Sequence, residues 1–398
     1  QACPTYLELG METDSPRGRI ALIDAMTSGR AQATPALLGH LDLCLQCRAC
    51  ETACPSGVAF GRIMEEGRAT AVESGARPVA WALRIALMRQ VLPHQRRLGA
   101  LMQGLRLYQR SPLRSLIRRT GVLSRVSSDL HLAEQALPEV PAAPFTPPQQ
   151  LPGLTKSVAM LTGCVMPHIY PWTHGATVRV LNRLGYRVVF PEGQTCCGAL
   201  SMHGGDRAFA RDLARRNIEA FLDAGVEAVI VNSAGCGSTM KEYAHMLAGD
   251  AAYRDRARQF VAMTKDVLEF VAGHDLGRLG AVAAAVTYQD SCHLVHAQKV
   301  TGAPRRVMAA IPRLELRELS APDRCCGSAG LYSIVQRQMA NRLLARKLDD
   351  VEATGAAIIA TANPGCMVQL EAGLRQRGLD ARVVHVIELL DEAMRAAP

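Results

Sequence analysis

The chain has 398 residues, 48% of them hydrophobic, which is the composition of about two or three packed domains and excludes a disordered tail or a small disulfide-dependent module. Its net charge of +9, from 45 Lys+Arg against 36 Asp+Glu, is too weak for a dedicated nucleic-acid binder. Thirteen cysteines fall in ordered groups, and with no recognisable secretory signal and no apolar run of membrane-spanning length, the chain reads as soluble or peripheral in a reducing compartment.

The first group is Cys44 to Pro55, CLQCRACETACP. This C-x2-C-x2-C-x3-C-P spacing is the run by which bacterial ferredoxins hold [4Fe-4S] clusters: three thiolates line one tight loop, and the fourth serves the other cluster of a pair. Cys44, Cys47 and Cys50 are therefore expected on one cluster and Cys54 on another. Gln1-Ala2-Cys3-Pro4 looks like the end of an earlier run whose first cysteines are missing, so the sequence reads as truncated at its N-terminus, with Cys3 as the fourth ligand beside Cys44, Cys47 and Cys50. A second reading stays open, in which Cys3 is a plain buried thiol and Cys54 closes a single cluster. Between the runs, Ser15-Pro16 opens a predicted helix through Ile20 to Met26. Arg17 and Arg19 near its start are placed either beside the cluster, favouring its reduced form, or in a solvated first turn.

From Ala80 to Val126 the chain carries ten Arg and no Asp or Glu, interleaved with Leu, Ile, Val and Met at helical spacing. Such a basic amphipathic segment fits a partner protein or an anionic membrane surface, and its lack of stacking aromatics argues against nucleic acid. Six prolines between Leu137 and Gly153 then read as a semi-rigid linker. The expected divisions are 1–79, 80–136, 137–153, 154–275 and 276–398.

Beyond the prolines the sequence repeats. Cys164 is followed by 31 residues, Cys196-Cys197, 38 residues that begin with Gly198, and Cys236; Cys292 is followed by 32 residues, Cys325-Cys326, 39 residues that begin with Gly327, and Cys366. Predicted strands 158–161, 188–190 and 228–231 lead into the cysteines of the first copy, and 282–288, 314–316 and 357–360 into those of the second, with helices 208–222 and 335–348 between. Each copy is thus an α/β unit gathering four thiols past its strand ends, with glycines such as Gly163, Gly198, Gly235, Gly327 and Gly365 allowing close backbone approach to a bulky group. Iron-sulfur clusters and, in at least one copy, zinc both suit four thiolates. His293, beside Cys292, is a candidate to tune or ligate a cluster; His168 and His245 are weaker candidates.

The paired C…CCG…C repeats resemble the cysteine-rich CCG domains of the heterodisulfide reductases, except that the usual final C-x-x-C is replaced by Ser233-Ala234-Gly235-Cys236 and Asn363-Pro364-Gly365-Cys366. The whole layout, with CPTY at Cys3, DSPRGRI at Asp14, the cluster run and two CCG units, resembles the iron-sulfur subunits of glycolate oxidase. The resemblance implies a helical ferredoxin-like [4Fe-4S] domain followed by two repeated α/β domains. It implies an electron-transfer subunit rather than a catalytic one, served by an FAD-containing 2-hydroxyacid dehydrogenase partner and a quinone-type acceptor, in the cytoplasm and peripheral to the inner membrane. Iron-sulfur subunits of anaerobic glycerol-3-phosphate or D-lactate dehydrogenases, and a heterodisulfide-reductase-like subunit, are the alternatives it leaves.

Overall fold

The computed structural model describes residues 2–149 and 151–397, except the side chains of Ser128 and Asp129. Gln1 and Gln150, which entered the reading of the N-terminus and of the proline-rich stretch, lie outside the described residues.

The first third is helical, with helices Pro4–Leu9, Pro16–Thr27, Pro35–Asp42, Ala49–Thr52 and Phe60–Glu73. Ser15 caps the second of these as its sequence predicts, accepting from Gly18 N–H at 3.1 Å, with Pro16 at the first helical position. A Cβ on Gly18 would lie 1.9 Å from the Glu12 carbonyl oxygen, so this turn closes only with glycine there. Ile23, Leu37, Leu38, Leu41, Phe60 and Met64 form the small core, and Cys44 is part of it.

The basic segment is helical as expected, in pieces spanning Val79–Val91, Gln95–Arg110, Pro112–Thr120 and Val122–Val126. Few of its apolar residues are covered: Ile85, Met88 and Leu98 are buried, while Leu83, Leu87, Leu101, Leu107, Leu113 and Leu116 are all exposed. The proline-rich stretch, read as a semi-rigid linker, makes contacts of its own. Phe145 docks edge-on against His174, centroids 5.0 Å apart, and its N–H donates to Pro167 O at 2.7 Å. Phe145 also packs on Phe190, centroids 5.6 Å apart, and Arg375 donates to Leu137 O at 3.2 Å, so the stretch is fastened to the α/β half at both of these points.

That half contains two parallel four-stranded sheets of the same order. Strands β1 (Lys156–Met160), β2 (Tyr186–Val189), β3 (Val229–Val231) and β4 (Thr264–Asp266) run in the order β2-β1-β3-β4. Strands β5 (Ala284–Tyr288), β6 (Leu314–Leu316), β7 (Ile358–Thr361) and β8 (Arg382–His385) run β6-β5-β7-β8. Ala159 stands opposite Val229 in the first sheet, and Val286 opposite Ile358 in the second. Fully buried β-branched residues at the central strands are what a parallel sheet covered on both faces demands.

The copies are not beads on a string. One core cluster draws on both, from Val158 and Val180 to Val286 and Leu390. Helix Pro171–Arg183 of the first copy packs against the C-terminal helix Val386–Arg395, where Arg179 donates to both carboxylate oxygens of the buried Asp391 at 2.9 and 2.7 Å. Among the described residues no helix is long and apolar enough to cross a membrane.

Candidate metal centres

Cys3, Cys44, Cys47 and Cys50 line one small cavity, together with Arg19 and Phe60. Cys3 arrives as the extended residue before helix Pro4–Leu9; Cys44 and Cys47 come from the loop after helix Pro35–Asp42, which Gln46 and Arg48 bend with φ of 54° and 60°, and Cys50 from the helix Ala49–Thr52 that follows. The Cys44 sulfur already accepts the Gln46 N–H at 3.4 Å. Burial and the charge of Cys325 push the Cys47 thiol up, and burial with the charges of Cys44 and Cys3 pushes Cys50 up to about 12. Four thiols lining one small cavity are a donor set that a cationic group would deprotonate and hold, and soft thiolates fit an iron-sulfur group.

The two arginines part company. Arg17 is solvent-exposed and pairs with Glu12 at 3.0 Å, so it does not belong to the site. Arg19 is 1% exposed, with Nη1 3.8 Å from the Cys3 sulfur, Nη2 on Thr5 and Asp14, and Nε donating to the His40 carbonyl at 2.8 Å. Cys54 stands apart from the cavity, near the surface. Its sulfur accepts backbone N–H groups of Val58, Ser56 and Gly57, which hold its pKa below the ordinary thiol value.

In each α/β copy the four cysteines sit just past the C-terminal ends of the strands, where open parallel sheets collect ligands. In the first copy Cys164 and Cys196 have sulfurs 3.9 Å apart, and contacts continue from Cys196 to Cys197 and from Cys197 to Cys236. The second copy repeats this from Cys292 to Cys325, Cys326 and Cys366. Gly198 and Gly327 turn the backbone with φ of 84° and 86°. The donor set of each copy is sulfur, although among the described residues no three Cys, His, Asp or Glu groups stand ready around a single ion. Four thiols in an arc accommodate a polynuclear iron-sulfur group on the chemistry of their donors.

Several supporting residues carried no signal in the sequence. Asn217 accepts from Thr195 N–H and donates to Cys196 O, and Tyr243 OH donates to Cys197 O at 2.8 Å, so both fix the Cys-Cys-Gly turn of the first copy. Ser233 and Asn363 stand where the C-x-x-C pattern has its first cysteine, and that register was the available clue. Asn363 Nδ2 donates to the Cys366 sulfur at 3.5 Å, and a Ser233 hydrogen bond helps lower Cys236. The two residues also meet each other at 3.4 Å.

The histidines divide. His293 donates from Nε2 to the Gln46 carbonyl at 3.0 Å, and burial holds it down at about 3, so it is a neutral strut between the second copy and the cluster loop. His168 contacts Gln95 at 2.9 Å, and His245 is exposed. Around His293 the first third and the second copy meet closely: Tyr332 OH donates to Leu43 O at 3.0 Å, and Cys47 and Cys325 share a buried cluster with Leu45 and Met339. Arg48 ties the same loop to the first copy through Glu242 at 3.0 Å.

Residues 1–58 match the family model for a 4Fe-4S dicluster domain, 81–137 that for the glycolate oxidase iron-sulfur subunit linker region, and 158–241 and 286–371 that for a cysteine-rich domain. The chain is 39% identical to a probable glycolate oxidase iron-sulfur subunit of Bacillus subtilis (strain 168), over 98% of this chain and 91% of the relative. This chain belongs to the glycolate oxidase iron-sulfur subunit family. The Escherichia coli (strain K12) glycolate oxidase iron-sulfur subunit is 35% identical over the same shares. Lactate utilization protein A of Exiguobacterium sp. (strain ATCC BAA-1283 / AT1b) is 28% identical over 61% of this chain and 99% of its own length. Membership in the glycolate oxidase iron-sulfur family makes the chain a subunit of an oxidoreductase complex, and the basic helical segment a named part of that family rather than an insertion.

Proposed function

We propose that the chain relays electrons from a flavoprotein subunit, which oxidises glycolate or a related D-2-hydroxy acid, towards a quinone-type acceptor at the cytoplasmic face of the membrane. In this reading Cys3, Cys44, Cys47 and Cys50 ligate one [4Fe-4S] cluster, Cys54 contributes to a second, and the eight cysteines of the repeats hold further iron-sulfur groups, with zinc in one copy as the rival reading. The divisions at 79, 136, 153 and 275 then separate a cluster-binding unit, a docking segment, a connector and two cysteine-rich units.

The observation that supports it most is the shared burial of Cys47 and Cys325. Iron-sulfur clusters, when bound, exchange electrons singly, which suits them to unload a flavin that takes two from each substrate. The chain's own residues do the rest. Phe60, Leu41 and Met64 keep water from one side of the first site. Arg19 places a buried positive charge near Cys3, which favours the more negative, reduced state of whatever the thiolates hold. His293, Tyr332 and Arg48 lock the cluster loop against both repeats, so the distance between the sites is fixed. Cys47→Ser in the assembled complex should leave flavin reduction by substrate intact and abolish acceptor reduction. Undiminished acceptor reduction in that variant sinks the relay.

A further inference from the structure

A cleft beside the first cysteine site is lined from several parts of the chain. It encloses roughly 750 Å³, part of it open to solvent, between the cluster loop, helix Val79–Val91 and both repeats. Cys44 lines it, so anything bound there rests against the first cysteine site.

Its walls are chiefly apolar and aromatic: Trp81, Ile85, Met88, Leu200, Leu331 and Tyr332. Its charge is unbalanced. Arg68, Arg77 and Arg84 face it against a single carboxylate, Asp42, which is taken by Arg77 at 2.7 Å. Both terminal nitrogens of Arg68 donate to backbone carbonyls of Leu41, Cys44 and His203, so it adds positive potential without a free guanidinium edge. Arg84 has no carboxylate partner among the described residues, and burial holds its pKa down. The Gln46 side-chain amide, 4% exposed and also lining the cleft, has no hydrogen-bond partner at either atom.

A compact inorganic anion needs several guanidinium edges, but Arg68 is spent on backbone carbonyls and Arg77 is paired with Asp42 and lies 5.6 Å over one face of Trp81, which leaves Arg84 as the arginine of the cleft with neither an ion-pair nor a ring partner among the described residues. A flat apolar body with a carbonyl oxygen towards Arg84 or Gln46 matches the walls and the donors together. We infer that this cleft is the site on this chain where a quinone-class electron acceptor binds, its ring beside Trp81 and Tyr332 and its carbonyl oxygens towards Arg84 and Gln46. The inference rests on the relay reading. Reduction there adds two electrons, delivered through the cysteine sites, and two protons taken from solvent, turning the two carbonyls into hydroxyls. The uncompensated charges of Arg68 and Arg84 favour the electron-rich form. Val335 at the rim and the neighbouring Ile334 are exposed, giving a hydrocarbon substituent an apolar way out.

The chain has two tryptophans, so Trp172→Phe leaves Trp81 as the sole indole reporter. The anaerobically purified cluster-loaded Trp172→Phe protein is titrated with 2-methyl-1,4-naphthoquinone while tryptophan emission and iron content are followed. Saturating quenching is expected, weakened at least tenfold by Arg84→Met and by the rim change Val335→Glu, with iron content unchanged in both. Quenching that rises linearly with concentration, that is equal in both variants, or that inorganic phosphate abolishes overturns the inference. The relay reading fails separately. If the assembled complex still passes substrate electrons to the quinone although Trp81 sees no binding, the relay stands and the cleft assignment falls; if the partner flavin never reduces this chain, the relay falls whatever Trp81 reports.

Discussion

Cys47 and Cys325 lie in the same buried cluster, with Leu45, Tyr332 and Met339 around them, and the charge of Cys325 is one of the two main causes that push the Cys47 thiol up. One cysteine belongs to the N-terminal site and the other to the second repeat. A relay needs successive sites close together, and these two share one buried cluster.

Arg19 is the test of how the first site is tuned. Arg19→Met removes a guanidinium that is 1% exposed and leaves Asp14 buried with only His40 at 3.0 Å. Breaking a buried pair on one side costs on the order of 3 kcal/mol, so the urea midpoint should fall clearly. Loss of positive charge near Cys3 should also make the reduction potential of the first site more negative. Arg17→Met, at the exposed neighbour, should leave both unchanged.

The two Cys-Cys-Gly glycines should differ in tolerance although they share a motif. A Cβ on Gly327 would lie 2.5 Å from the Ala340 carbonyl oxygen, whereas on Gly198 the nearest atom, Ala210 O, is 3.3 Å away. Both need positive φ, which costs a side-chain-bearing residue about 1 kcal/mol or more. Gly327→Ala should therefore lose metal from the second copy, while Gly198→Ala keeps it at a smaller loss of thermal stability. Metal analysis with thermal scans of both variants decides this.

Glu388 gives the interface between the repeats a pH dependence. Burial raises its pKa from 4.5 to about 7 against the opposing hydrogen bonds of Thr173 and the His385 backbone. The folded state thus holds a proton that the unfolded chain releases between those values. Its contribution is favourable relative to neutral pH as pH falls through 7 to 4.5, and above 7 it becomes a cost on the order of 3 kcal/mol. Glu388→Gln should raise the unfolding temperature at pH 8 and change it little at pH 5. The buried Asp266, also raised to about 7, is common to both proteins and cancels in the difference. An equal shift at both pH values would contradict this assignment.

The uncovered leucines of the basic segment predict surface behaviour. Leu113 and Leu116 are 52% and 59% exposed on helix Pro112–Thr120, with Arg118 and Arg119 beside them, an arrangement suited to an anionic lipid surface. Leu113→Ser with Leu116→Ser should weaken sedimentation with phosphatidylglycerol vesicles at least tenfold. Binding of the unchanged chain should fall as salt rises. Unaltered sedimentation would assign this face to a protein partner instead.

Much of this was legible in the sequence because cysteine spacing is a rigid ruler. The registers from Cys164 to Cys236 and from Cys292 to Cys366 located six strands close to their observed bounds. Strands β4 and β8 escaped because Thr264–Asp266 is three residues long and Arg382–His385 carries charge at its start, leaving no apolar period to read. Arg17 and Arg19 look alike in sequence, and only helix phase separates the solvent-facing one from the buried one. The docking of Phe145 and the meeting of Cys47 with Cys325 are contacts between distant segments, which local patterns do not encode.

The central claim is that cysteine-held iron-sulfur groups occupy both the N-terminal site and the repeats. It is tested most directly by iron, acid-labile sulfide and zinc per chain in the anaerobically purified protein, beside Cys47→Ser and Cys325→Ser. The account predicts iron matched by sulfide, no zinc, and a separate partial loss of iron in each variant. Zinc in place of iron in the repeats, with iron untouched by Cys325→Ser, would confine electron transfer to the first third and contradict it.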